Sequence, residues 1–200
     1  MKSLLLSITF ATTLDSSPIP LYPLPMNKDT LGLLQVYTGP GKGKTTAAVG
    51  LAARAAGQGL KVAFIQFMKP DESGEVDSLR KLGVKVSHFG AKGFLVPDSD
   101  PTPHREAALK GWSEALRYLK VSEQVDLLIL DELNVVLSLG LLDRGEVIGA
   151  ILNRPHGLEV VCTGRDAPKE LLDTADLVTE MAEVKHYFKR GVKARRGIEY

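Results

Sequence analysis

The stretch Thr38-Gly39-Pro40-Gly41-Lys42-Gly43-Lys44-Thr45-Thr46 limits what this chain can fold into more than any other. A short apolar run, Leu33 to Tyr37, leads into it. An Ala-rich run of helical character, Thr45 to Ala56, leaves it and stops at Gly57 and Gly59. Strand, glycine-rich turn and helix form the setting that a phosphate loop requires. The glycines let the backbone turn with its N–H groups inward, which makes a nest for an anion. The start of the following helix adds about half a positive charge, and Lys44 adds a full one. The Thr45 hydroxyl is of the type that meets magnesium. Thr38 stands where such loops usually have their first glycine.

A second segment belongs with the first. Leu127-Leu128-Ile129-Leu130-Asp131-Glu132 is an apolar run ending in two acids. That order puts carboxylates at the carboxyl end of a strand, where they reach a magnesium ion held between phosphates, directly or through water. Spacing does not say which acid meets the metal and which acts on water. A helix cap by Asp131 is the competing reading, because acids favour helix N-termini. The two segments imply a nucleoside triphosphate and a divalent cation. They do not fix a reaction, since most proteins with both features hydrolyse ATP or transfer a phosphoryl group.

The rest of the chain alternates in the same way. Strands are expected at Val62 to Phe67, Val84 to Phe89, Leu127 to Leu130, Leu158 to Cys162 and Leu177 to Thr179. Helices are expected at Val76 to Leu82, Arg105 to Leu119, Pro168 to Asp173 and a stretch closed by Val147 to Leu152. Gly90 to Pro103, with three prolines, reads as a loop. Short strands alternating with helices predict an α/β fold, with a doubly wound, mostly parallel sheet of P-loop, RecA-like architecture. Ligands are then expected at the carboxyl ends of the strands.

Composition excludes several classes. With 25 Lys and Arg against 24 Asp and Glu, the net charge of +1 gives no reason to expect nucleic acid or a membrane surface as a general partner. No apolar run reaches the ~20 residues that span a bilayer. The single cysteine, Cys162, excludes an internal disulfide framework and fits a reducing, cytoplasmic setting.

Residues 31–200 are expected to form one domain, preceded by a flexible or loosely docked arm over residues 1–30. Lys2 and the apolar run from Leu4 to Leu14 resemble part of a secretory signal, but a small-x-small cleavage site is missing. A start of translation at Met26 is a third reading. At the other end, Lys185 to Arg196 carries six basic residues and no acid. It reads either as a solvated tail or as an anion-binding flap.

Taken together, the motifs resemble one family, the ATP:corrinoid adenosyltransferases. The resemblance rests on the phosphate loop with its missing first glycine, Gln66-Phe67-Met68-Lys69, and Leu130-Asp131-Glu132-Leu133-Asn134. It continues through Arg154-Pro155, Thr163-Gly164-Arg165-Asp166-Ala167-Pro168 and Ala175-Asp176-Leu177-Val178-Thr179-Glu180-Met181. Val184-Lys185-His186 and Gly191-Val192-Lys193-Ala194-Arg195-Arg196-Gly197-Ile198-Glu199-Tyr200 complete it.

The resemblance implies that Co(I) of a reduced corrinoid, cobalamin or cobinamide, attacks the 5′ carbon of ATP and that inorganic triphosphate leaves. It assigns Lys44 to phosphate, Thr45 and Glu132 to magnesium or manganese, and Gly39, Gly41, Lys42, Gly43 and Thr46 to the loop around the triphosphate. Arg54, Asn134 and Arg165 match positions near nucleotide or corrinoid. Phe94 matches an aromatic that helps displace the lower cobalt ligand, and Val96 stands where the family often has Trp. A flavoprotein electron donor and a homodimer are also implied.

The remaining conspicuous residues read as structural: Trp112 as core, His88 and His104 as structural or exposed, and Cys162 as inert packing. His186 falls in the family's Lys-His element. The competing function is a RecA-like ATP-hydrolysing protein, whose products would be ADP and phosphate.

Overall fold

The computed structural model describes residues 30–70, 73–93, 95–96, 99–120 and 124–199. The arm assigned to residues 1–30 lies outside these except for Thr30, as do Phe94 and Tyr200. Six strands alternate with helices: β1 (Leu34–Thr38), α1 (Lys44–Gly57), β2 (Val62–Phe67), α2 (Gly74–Lys81), β3 (Lys85–Phe89), α3 (Thr102–Leu119), β4 (Leu127–Asp131), α4 (Leu133–Ser138), α5 (Arg144–Leu152), β5 (Glu159–Thr163), α6 (Lys169–Thr174) and β6 (Leu177–Glu180). A 3-10 turn, Tyr187–Arg190, follows.

The strands form one sheet in the order β3-β2-β4-β5-β1-β6, and every pairing is parallel. The period-two alternation of strands sorts side chains to two cores, one on each face. Ala63, Ile65 and Phe67 of β2, with Leu128 and Leu130 of β4, face Trp112 and Ala115 of α3 and Ile151 of α5. Val62, Phe64, Leu127 and Ile129 point the other way, onto Ala48, Ala52 and Ala55 of α1 and Leu79 of α2. Burial on both faces is why the central strands read as unbroken apolar runs. Trp112 and Cys162 are core residues, as expected, and burial pushes the Cys162 thiol up to about 12.

Two helices begin earlier than their apolar spacing indicates, α2 at Gly74 instead of Val76 and α3 at Thr102 instead of Arg105. α3 starts at Thr102, with a proline in its first positions, where the missing N–H is no loss. α5 starts at Arg144 because the Asp143 carboxylate caps it, accepting from the Glu146 N–H at 2.8 Å. α4 is not legible as a helix. Its six residues, LNVVLS, are a short apolar run whose period does not separate helix from strand.

Candidate active site

The central side chains of the site come from the carboxyl edge of the sheet, where strands β1, β2, β4 and β5 end side by side or nearly so. Three non-glycine residues there have left-handed backbone: Met68 (φ 58°) after β2, Glu132 (φ 64°) after β4 and Asp166 (φ 52°) after β5. Such conformations cost of order 1–3 kcal/mol each and collect at sites where a side chain must be aimed.

The loop after β1 is tightly enclosed. The Gly41 N–H donates to the Met181 carbonyl at 2.6 Å. A Cβ on Gly41 would lie 2.6 Å from that oxygen and 2.8 Å from the Ala182 carbonyl oxygen. At Gly39, with φ 94°, a Cβ would meet the same Met181 oxygen at 2.7 Å. Glycine is therefore required by the chain that follows β6, besides any ligand. Lys44 is buried, and its ammonium donates to the Gly39 and Gly41 carbonyls at 2.7 Å each. Burial pushes its pKa below the ordinary value, while Glu132 and Asp131 pull it up and Arg165 adds to the fall. The first-turn amides of α1 have no partner within the helix and remain available to an anion.

Asp131 is the hub. It has no exposed surface, and its Oδ1 accepts from the Thr45 hydroxyl at 2.9 Å and the Thr163 hydroxyl at 2.7 Å. Gln66, equally buried, donates to its Oδ2 at 3.3 Å. That removes the helix-cap reading: α4 follows Glu132, and Asp131 points into the sheet edge instead. The Glu132 N–H donates to the Thr163 hydroxyl at 3.0 Å, which fixes the turn that releases the Glu132 side chain. Burial, with the adjacent Asp131, raises the Glu132 pKa against the pull of Lys44, Lys69 and Arg165.

A cavity of about 670 Å³ opens over this edge, within the range of small-molecule sites. Of the expected residues, Gly41, Lys42, Gly43, Lys44, Thr45, Thr46, Glu132 and Arg165 line it. Arg54 is exposed on α1 and Asn134 is wholly buried, and neither lines it. The Asn134 amide donates to the Tyr37 carbonyl at 3.2 Å and the Gly164 carbonyl at 3.1 Å, tying the ends of β1 and β5 together. Phe94 lies outside the described residues, and its neighbour Val96 is exposed.

Several lining residues carried no site assignment from the sequence. Glu75 and Ser78 of α2 reach the cavity, as does Lys69 just after β2. Of these three, Lys69 alone fell within a motif of the resemblance. His186, Gly197, Ile198 and Glu199 close the opposite wall. Of the Lys185 to Arg196 stretch, His186 lines the cavity and none of the six basic side chains on which the flap reading rests does. Glu199 accepts from Arg195 Nη2 at 3.1 Å and from the Tyr187 hydroxyl, and stands 4.0 Å from Lys42.

The donor set fits a magnesium ion: a threonine hydroxyl and carboxylate oxygens beside an anion nest. Magnesium keeps waters and phosphate oxygens as most of its ligands, so a hydroxyl and a carboxylate would suffice from the protein.

Comparison with known proteins adds the chemistry. The family model of the ATP:corrinoid adenosyltransferases BtuR/CobO/CobP matches residues 30–200. The corrinoid adenosyltransferase of Pseudomonas aeruginosa is 41% identical over 175 residues, covering 86% of each chain. That of Escherichia coli K12 is 40% identical over 174 residues, covering 86% of this chain and 88% of its own. The corrinoid adenosyltransferase of a Sinorhizobium species is 36% identical over 176 residues, covering 86% and 82%. With the phosphate loop, the Thr45–Asp131 pair and this match in one chain, the protein belongs to the ATP:corrinoid adenosyltransferase family.

Proposed function

We propose that the protein transfers the 5′-deoxyadenosyl group of ATP to the Co(I) centre of a reduced corrinoid, within cobalamin biosynthesis or salvage. The cobalt electron pair forms the Co–C5′ bond, the C5′–O bond breaks, and inorganic triphosphate leaves with that bond's electrons. Cobalt is thereby oxidised to Co(III). No phosphoryl group moves.

The observation that carries this reading is the set of cations and amides gathered around one cavity in a chain of this family. Lys44, Lys42 and Arg165 line it together with the start of α1. Negative charge grows on the departing triphosphate, so groups placed there act more strongly in the transition state than before it. Lys44 must exchange its two loop carbonyls for phosphate oxygens, which pre-sets its position. Thr45 and Glu132 are the residues that would hold a magnesium ion. Bound there, the ion would neutralise triphosphate charge. Asp131 acts through the Thr45 hydroxyl that it orients. Phe94 is assigned the corrinoid-facing role by resemblance alone.

The finer picture is a homodimer in the cytoplasm that receives electrons from a flavoprotein. What supports it is the resemblance. The RecA-like hydrolase reading is not favoured by the relatives.

Anaerobic mixing of the protein with ATP, magnesium and chemically reduced Co(I) cobalamin tests the reading. A protein-dependent, light-sensitive alkyl-cobalt spectrum with stoichiometric triphosphate is expected. ADP and phosphate with no alkyl-cobalt would sink it.

A further inference from the structure

Lys69 is held by more structure than a surface ion pair needs. Met68 takes its left-handed conformation immediately before it. Gly90, at the end of β3, leaves room for the Lys69 backbone: a Cβ there would lie 2.5 Å from the Lys69 nitrogen and 2.5 Å from its carbonyl carbon. Pro70 then fixes the exit.

The ammonium is held as firmly. It donates to Glu75 Oε1 at 2.9 Å and stands 3.9 Å from Asp131 Oδ2. Gln66, buried beneath, donates to Glu75 Oε1 at 2.8 Å as well as to Asp131, and its own oxygen accepts from the Ser73 hydroxyl at 3.1 Å. Although burial pushes the Glu75 pKa up, hydrogen bonds from Lys69 and Ser73 and the Lys69 charge hold it down at about 2. An ammonium has three donors. Among the described residues, Glu75 is the single acceptor bonded to this one, and Lys69 lines the same cavity as Lys44.

We propose that Lys69 is a further cation for the departing triphosphate, brought to the cavity from the end of β2, and that Glu75 and Gln66 are the positioning residues that hold it. This rests on the adenosyl-transfer reading. When the C5′–O bond breaks, the former ester oxygen becomes a terminal phosphate oxygen and the triphosphate gains negative charge. A fixed ammonium with free donors stabilises that change, whereas one wandering in solvent must first be ordered.

The test uses the full chain and two readouts. The first is calorimetric binding of inorganic triphosphate with magnesium, which needs no corrinoid. Lys69→Ala is expected to weaken it about 10-fold, as loss of a charge-assisted contact does, and Lys69→Arg to restore most of it. Glu75→Gln is the sharper variant. Removing a negative charge from an anion site would by itself tighten binding, but loss of positioning weakens it.

The second readout is steady-state transfer to Co(I). Lys69→Ala is expected to lower kcat about 10-fold or more with the KM for ATP nearly unchanged, the signature of an interaction made in the transition state. Wild-type triphosphate affinity in Lys69→Ala, or tighter binding in Glu75→Gln, overturns the proposal. Should Lys69→Ala fail to fold, Lys69→Gln, which can still donate to Glu75, takes its place under the same criteria. A wild-type protein that binds triphosphate through Lys69 but makes no alkyl-cobalt would sink the adenosyl-transfer reading, and with it the leaving-group role, while the Lys69–triphosphate contact itself would stand.

Discussion

The two walls of the cavity are built differently. The sheet-edge wall is buried and internally bonded: Asp131, Gln66 and Thr163 have no exposed surface, and each is hydrogen-bonded within one network. The C-terminal wall is mostly exposed. Ile198 lines the cavity at 59% exposure, and Phe188 of the adjoining turn is 72% exposed. Its side-chain bonds run mostly within the segment itself, Glu199 with Arg195 and Tyr187, Lys189 with Glu183, and Arg195 over the Tyr187 ring at 5.2 Å, while Glu199 stands 4.0 Å from Lys42 of the phosphate loop. The sheet-edge wall thus holds its geometry through buried hydrogen bonds, whereas the C-terminal wall is held by partly exposed side chains.

The strongest way to break the comparison is at Lys44. Lys44→Ala is expected to cut transfer to pre-reduced Co(I) by on the order of 10²-fold or more, and full initial-rate activity in that variant would remove the rigid wall from the mechanism. Gly41→Ala tests rigidity without touching charge. The new methyl meets two carbonyl oxygens of the backbone that cannot move aside, so about 2 kcal/mol of stability and most of the ATP affinity should be lost, read by denaturant melts and calorimetry.

Acid titration comes next. The Glu75 carboxyl is held near 2 in the folded chain against 4.5 normally. Its contribution is therefore fully present above pH 4.5 and is lost as pH falls toward 2. At a side chain 17% exposed, this amounts to at most about 3 kcal/mol before screening. The difference in stability between the protein and Glu75→Gln should shrink across that window, and a constant difference would contradict the assignment.

Asn134→Ala should lower stability by about 1–3 kcal/mol through two unpaired carbonyls while the KM for ATP stays put. A large rise in KM would return Asn134 to the site. The smallest effect belongs to the C-terminal wall: Glu199→Gln weakens ion pairs whose partners Arg195 and Lys42 are 53% and 41% exposed, and such pairs contribute little. A change in ATP affinity of no more than about threefold is expected. A loss matching that of Lys44→Ala would show both walls to be equally preorganised.

The order of strands and helices was legible because each carries its own period and punctuation. Val62–Phe67 was readable to the residue from a run of strand length that is apolar except for Gln66. α4 was not, because six residues hold less than two helical turns and its direction is set by the left-handed Glu132. The phosphate loop could be read for the same reason as the strands: its residues act on a ligand through their own backbone and are contiguous.

What the sequence by itself determined is therefore everything that depends on neighbours along the chain: the α/β class, the cradle at Gly39 to Thr46 and the acid pair after a buried strand. Only the tertiary structure decided that Asp131 is the hub under Thr45, that Asn134 and Arg54 do not line the cavity, and that Lys69, Glu75 and Glu199 do. Thr45 and Asp131 are 86 positions apart, and Gln66 and Asp131 are 65 apart. Which strand ends become neighbours depends on the β3-β2-β4-β5-β1-β6 order. That order follows from how helices pack on both faces of the sheet, a sum over the whole core that no local pattern contains.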